Sequence, residues 1–65
     1  MTSAEFVKAL KDAHAEEVKD SEKYMNLAKN ATSPEIRDML YCIAKDEVMH
    51  RAKLECMIIT LEGSL

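Results

Sequence analysis

The sequence predicts an all-α protein: a two-helix antiparallel hairpin that dimerises into a four-helix bundle. The composition favours helix, being rich in Ala, Glu, Lys, Leu and Met, and proline and glycine occur once each. Only one break signal lies inside the 65 residues, near the middle. On both sides of it, apolar residues recur every three or four positions, which is the spacing of one helix face.

The first helix is predicted over about residues 3–30. Thr2 and Glu5 form a capping-box pattern, in which each side chain can satisfy the other's backbone N–H. Glu17 is the acidic member of an otherwise apolar or small core stripe. The stripe consists of Phe6, Leu10, Ala13, Glu17, Ser21, Tyr24, Leu27 or Ala28, and Ala31.

The second helix is predicted over about residues 34–61, after a short turn at residues 30–33. Ser33 suits an N-cap and Pro34 the first helical position, while Gly63 suits a helix stop. A turn this short makes the helices antiparallel neighbours within a single domain, residues 1–65. The second core stripe consists of Ile36, Leu40, Ile43, Glu47, His50, Leu54, Met57 or Ile58, and Leu61.

Each helix also carries a weaker apolar stripe, which a lone hairpin cannot bury. These stripes are Val7, Val18 and Met25 on the first helix, and Tyr41, Ala44, Val48, Ala52, Cys56 and Ile59 on the second. We therefore expect a homodimer or larger homo-oligomer.

The cysteines, the hydropathy and the net charge also limit which compartment and which partners are expected. Cys42 and Cys56 lie 14 positions apart on one helix. That separation is roughly 21 Å along the helix. A disulfide needs Cα atoms within about 7 Å, so these two cysteines cannot pair within one chain. Free thiols and no secretory signal predict a cytoplasmic protein. No apolar run could span a membrane, and a net charge of −3 argues against nucleic acid as a partner.

Three polar side chains should meet at mid-height of the hairpin. Glu17 lies 15 residues before Thr32 and Glu47 lies 15 residues after it, while His50 follows Glu47 by one helical turn. Because unpaired carboxylates are costly to bury, this group calls for a cation. A two-fold dimer would bring together four glutamates and two histidines, enough to hold two divalent metal ions.

This ligand set predicts a metal site of Glu17, Glu47 and His50 that is shared between two chains. It suits iron, two ions per dimer, with manganese or zinc as competitors. No catalytic residue is predicted beyond the ligands. Each of four neighbouring residues has two possible roles. His14 and Asp20 are either iron-entry groups or surface groups, and Asp46 is either a ligand-orienting acid or a surface acid. Tyr24 is either a packing residue or a redox-active one.

Glu17, Tyr24, Leu27-Ala28 and the segment from Ile43 to His50 resemble one half of the ferritin-like superfamily, closest to rubrerythrins and encapsulated ferritins. The resemblance covers nearly all of residues 14–58. It implies that Glu17 and His50 are terminal iron ligands and that Glu47 bridges two irons. It also implies a ferroxidase-type oxidoreductase that uses oxygen or peroxide, for iron storage or detoxification.

Two features depart from those relatives. The paired CxxC motifs of a rubredoxin-type iron site are absent from this sequence. The ending Gly63-Ser64-Leu65 resembles an element of encapsulin targeting peptides, which raises an encapsulin shell as a partner and its compartment as a location. Two alternative functions stay open: a rubrerythrin-like peroxide-reducing protein, and a non-catalytic helical interaction module.

Overall fold

Two long helices joined by a short turn make up the computed structural model, which describes residues 1–64. They are α1 (Ser3–Lys29) and α2 (Pro34–Ser64). The described part is all-helical, as predicted, and forms a rod of 48 × 14 × 13 Å. Neither described helix is apolar enough, over a sufficient length, to cross a membrane. The association of two copies stays a prediction.

The start of α1 has the capping box that the sequence predicts. The Glu5 N–H donates to Thr2 Oγ1 at 3.1 Å, and the Thr2 N–H donates to Glu5 Oε1 at 3.1 Å. The helix ends at Lys29, and the Asn30 N–H donates to the Leu27 carbonyl oxygen at 3.1 Å. Both ends of α1 are therefore set by local hydrogen bonds, which the sequence encodes directly.

The turn leads into α2 through Ser33 and Pro34. Ser33 Oγ accepts the Ile36 N–H at 3.2 Å, and Pro34 occupies the first helical position. The prediction that Gly63 ends α2 is wrong, because the helix continues through it to Ser64. Glycine permits a left-handed stop without imposing one, and Gly63 does not adopt a positive φ. The last residue of the Gly63-Ser64-Leu65 element lies outside the described residues.

Small side chains line the seam where α1 packs on α2. Val7, Ser21 and Ala28 are buried on α1, and Ala44 is buried on α2. Ala28 and Ala44 are each 1% exposed, so the two backbones approach closely there. Val7 and Ala44 thus belong to the seam within the hairpin, and their prediction as part of an outer stripe is wrong.

Ser21 and Ala28 of the first predicted core stripe lie in this seam, whereas the larger apolar members of both stripes lie beside it and are only partly covered. Phe6, Ile43 and Met57 remain 46%, 39% and 48% exposed. On a helix with 3.6 residues per turn, neighbouring positions such as Ile43 and Ala44 differ by about 100° in direction. In a four-helix bundle, the directions from one helix to its two adjacent helices differ by a similar angle. The seam residues therefore face the other helix of the hairpin, and the exposed stripe residues face a direction that the hairpin leaves uncovered.

We predict that Ala44→Leu destabilises the protein by about 1–3 kcal/mol, because the seam has no room for a larger side chain. The exposed Ala52, on the same helix, provides the matched control. Ala52→Leu should change the free energy of unfolding by less than about 0.5 kcal/mol. Urea denaturation in the presence of a chelator measures both values. Equal losses for the two variants would contradict the close approach at Ala44.

Candidate metal centre

The middle of the hairpin brings together Glu17 from α1 with Glu47 and His50 from α2. Glu47 and His50 lie three residues apart and so project from one face of α2. One ligand atom of each of the three residues lies within 4.8 Å of the others. The structure thus brings these side chains together at the level that the turn register predicts. Their binding of a metal ion stays a prediction.

Glu17 is less exposed than His50, which faces it across the seam. Its Oε2 lies 3.4 Å from His50 Nδ1, and the two side chains are 26% and 53% exposed. This contact is not aligned as a hydrogen bond, so Glu17 Oε2 is buried without any hydrogen-bond partner. A buried acceptor left in this state costs about 1–3 kcal/mol, and more when it is charged.

The Glu47 carboxyl group has a raised pKa. The largest cause is a hydrogen bond to Glu17, which two carboxyl groups can form only by sharing a proton. Partial desolvation and the negative charges of Glu17 and Asp20 raise the pKa further, and His50 partly offsets them. The fold thus holds the carboxyl groups of Glu17 and Glu47 together, and His50 balances their charges only in part.

This arrangement fits a divalent cation. A cation at the cluster would supply the missing partner of Glu17 Oε2 and would neutralise the two carboxylates, which otherwise meet through the hydrogen bond that raises the pKa of Glu47. Carboxylate and imidazole ligands together suit iron or manganese, whereas closed structural zinc sites favour cysteine and histidine. Three ligand side chains from one hairpin leave coordination positions for further ligands.

The other candidate residues divide into those near the cluster and those away from it. Asp20 is half-buried and lies close enough to Glu47 to affect its pKa. His14 lies outside the cluster, because its Nε2 contacts Glu55 Oε1 at 2.8 Å. Tyr24 is half-buried, with Lys23 Nζ 5.3 Å from the centre of its ring. Asp46 is exposed, and its role as a ligand-orienting group stays open.

Sequence reasoning missed Arg51, which lies in the seam next to the cluster. Its Nη1 donates to Ser21 Oγ at 3.3 Å, and Ser21 in turn donates to the Val18 carbonyl oxygen at 2.9 Å. The Nε of Arg51 is buried without an acceptor among the described residues. The available signal was its spacing of seven residues from Ala44, which places both on the same side of α2.

Comparison with known proteins identifies the family. Residues 8–65 match the family model described as rubrerythrin. The chain belongs to the rubrerythrin family. This membership confirms the resemblance to di-iron proteins of the ferritin-like superfamily. Searches of the curated proteins and of the solved structures gave no significant match. Rubrerythrins typically bind iron, and the cluster of Glu17, Glu47 and His50 is the candidate site for it.

We predict that Glu47→Gln stabilises the metal-free protein at neutral pH. In the wild type the pKa of Glu47 is raised in the folded state, so its ionisation destabilises the fold once the pH exceeds that pKa. The wild type should regain this stability as the pH falls through the raised pKa towards the ordinary value of 4.5. The advantage of the variant in melting temperature should therefore be largest near neutral pH and shrink in acid.

The matched control is Glu16→Gln, since Glu16 is an exposed acid on α1 whose Oε1 lies 3.8 Å from Lys19 Nζ. This variant should leave the pH dependence of the melting temperature as in the wild type. A Glu47→Gln protein that is less stable than the wild type at neutral pH in a chelator would show that the two carboxylates do not oppose each other.

Proposed function

We propose that this rubrerythrin-family protein oxidises ferrous iron at a di-iron carboxylate site shared between two copies of the chain. One observation carries the proposal: Glu17 Oε2 is buried without a hydrogen-bond partner while facing His50 and Glu47. A purely structural cluster would satisfy that oxygen with a donor from the protein. An acceptor left open among converging ligand atoms supports a site for a cation.

The ligand roles in this proposal follow the ferritin-like pattern. Glu17 and His50 would be terminal ligands, and Glu47 would bridge two ions. Two copies together bring four carboxylates and two imidazoles, and the four negative charges match two divalent cations. The pair of ferrous ions, when bound, supplies two electrons to the oxidant.

The protein's own groups hold the ions and manage the protons. Glu47 must be ionised to bind a metal, so metal binding displaces the proton that its raised pKa favours. Metal affinity should therefore fall as the pH decreases through that pKa. The His50 side chain is 53% exposed in the hairpin, and a second copy would shield it from water. Shielding would strengthen the electrostatic interactions at the site.

Peroxide reduction is the second candidate function, and the family match favours it as much as it favours iron oxidation by oxygen. Both reactions would use the same ligands and ferrous ions. They differ in the oxidant that the reduced protein consumes, so the two can be separated by supplying each oxidant alone. A non-catalytic interaction module is the remaining alternative, and it would leave the buried oxygen of Glu17 unexplained.

The test is to load the protein with ferrous iron without air and then add oxygen or hydrogen peroxide in separate reactions. We expect ferric absorbance to appear faster than in protein-free buffer, with two irons oxidised per dimer. His50→Ala should slow this reaction more than about tenfold, because even changes behind the ligands of a metal site reduce activity by that factor. Loss of bound iron in the same variant would be measured by metal analysis.

His14→Ala is the matched control, because His14 is the other histidine of the hairpin and contacts Glu55 rather than the cluster. It should keep both the bound iron and the rate. Oxidation no faster than in the protein-free reaction, with either oxidant, would overturn the proposed function. A melting temperature that ferrous iron does not raise, measured without air, would favour the non-catalytic module.

A further inference from the structure

Two buried side-chain atoms of opposite character lack partners in the seam. Glu17 Oε2 is buried without a donor, and Arg51 Nε is buried without an acceptor among the described residues. A carboxylate and a guanidinium group form some of the strongest polar contacts in proteins, through two parallel hydrogen bonds. Here they do not meet. Arg51 Nη1 donates to Ser21 Oγ at 3.3 Å instead, and Arg51 forms no ion pair within residues 1–64.

Arg51 lies close enough to the cluster to reach both carboxyl groups. It follows Glu47 by four residues on α2, and Ser21 follows Glu17 by four residues on α1. Residues four apart on a helix share a face, with Cβ atoms about 5–6 Å apart. Arg51 lies one helical turn farther from the hairpin turn than Glu47, whereas Ser21 lies one helical turn nearer to it than Glu17. The Arg51 side chain, which contacts Ser21, therefore extends across the level of the cluster.

An arginine at this position would ordinarily pair with a glutamate. A Glu four residues before a basic residue is the favoured order for an ion pair on a helix, and Glu47 and Arg51 have that order. A guanidinium group on the carboxyl groups would also lower the pKa of Glu47, which is instead raised. A charged acceptor forms a hydrogen bond roughly twice as strong as a neutral one. The contact with Ser21 thus takes the place of a stronger contact.

The backbone of α1 orients Ser21 as an acceptor. The Ser21 residue is 3% exposed, and its hydroxyl group donates its proton to the Val18 carbonyl oxygen at 2.9 Å. With its proton engaged there, the hydroxyl oxygen can only accept from the seam, and Arg51 Nη1 is the donor. The position of Arg51 therefore depends on a hydroxyl group that the helix itself holds in place.

We infer that Ser21 is a positioning residue, which holds Arg51 off the carboxyl groups of Glu17 and Glu47 and so keeps the cluster open to a cation. Without this contact Arg51 would turn to the carboxyl groups, and its buried N–H would satisfy the buried oxygen of Glu17. The arginine would then compete with a metal ion for the same oxygens. This inference rests on the proposed function and deepens it, since it names the residues that set the metal affinity of that site.

The alternative is that Arg51 and Ser21 only stabilise the seam. A purely structural pair loses stability when Ser21 is removed, because the guanidinium group is then left buried with one partner fewer. The inference predicts the opposite sign for the metal-free protein, since Arg51 would gain charged partners in place of a neutral one. It also predicts that the effect of Ser21 on metal binding disappears when Arg51 is absent.

The first test measures the affinity for Mn²⁺ without air, by the electron paramagnetic resonance signal of the free ion at one protein concentration. Ser21→Ala should weaken binding roughly tenfold or more, the range found when groups behind metal ligands are removed. The double variant Ser21→Ala/Arg51→Gln should bind as tightly as the wild type, because the competing guanidinium group is gone.

Arg37→Gln is the matched control, because Arg37 is the other arginine of α2 and its Nε lies 3.2 Å from Asp38 Oδ1. It should neither change the affinity for Mn²⁺ nor restore binding to the Ser21→Ala protein. A loss of affinity on Ser21→Ala that is equal with and without Arg51→Gln indicates a purely structural role and overturns the inference. Unchanged affinity of the Ser21→Ala protein overturns it as well.

The second test uses the metal-free protein in a chelator at neutral pH. Ser21→Ala should raise the melting temperature, and by more in the presence of Arg51 than in the Arg51→Gln background. The second background measures the gain that alanine provides through its higher helix propensity alone. Equal gains in the two backgrounds, or a loss of stability where Arg51 is present, overturn the inference.

Neither test depends on iron oxidation, so the inference and the proposed function can fail separately. Weakened Mn²⁺ binding that Arg51→Gln restores, in a protein that does not oxidise ferrous iron, supports the inference and overturns the proposed function. Iron oxidation together with equal Mn²⁺ affinity in all variants supports the function and overturns the inference. A wild type that binds neither Mn²⁺ nor ferrous iron overturns both.

Discussion

The close approach of the Glu17 and Glu47 carboxyl groups is the constraint on which the rest of this structure depends. The turn and the small residues of the seam hold the two helices close together, and this proximity places both carboxyl groups in one cluster. The consequences are a raised pKa for Glu47 and an unsatisfied buried oxygen on Glu17. A hairpin with so few buried apolar side chains has little stability with which to offset such a centre.

A cation would relieve this constraint, and the second copy proposed above would complete the site around it. The cation would neutralise the carboxylates and give Glu17 Oε2 a partner, whereas the second copy would cover the exposed side chain of His50. Because His50 would take part in both metal binding and the contact with the second copy, the two events would be coupled. Each one should favour the other by mass action, since a group that binds only the assembled state stabilises that state. Metal loading would then also regulate assembly.

Much of the hairpin follows from the sequence because local chemistry sets it. Thr2, Glu5 and Ser33 define where the helices begin, and the short turn fixes the register that brings Glu17 level with Glu47. The direction of each stripe was harder to predict. The core stripe of a helix in a four-helix bundle points between its two adjacent helices and not at either of them. The apolar periodicity alone therefore could not show that Ala44 faces α1. The seam role of Arg51 depends on a contact with Ser21 that spans 30 residues of sequence, and no local pattern encodes it.

The polar character of the seam supports the proposal that two hairpins act together. An apolar seam would stabilise an isolated hairpin, but here His14, Ser21 and Arg51 occupy seam positions between the buried apolar residues. Hydrogen bonds at such positions contribute about 0.5–1.5 kcal/mol each, which is less than the burial of a large apolar side chain provides. The large apolar side chains lie instead on the uncovered faces. In the dimer proposed above a second copy would bury them, so stability and the completion of the metal site would come from the same association.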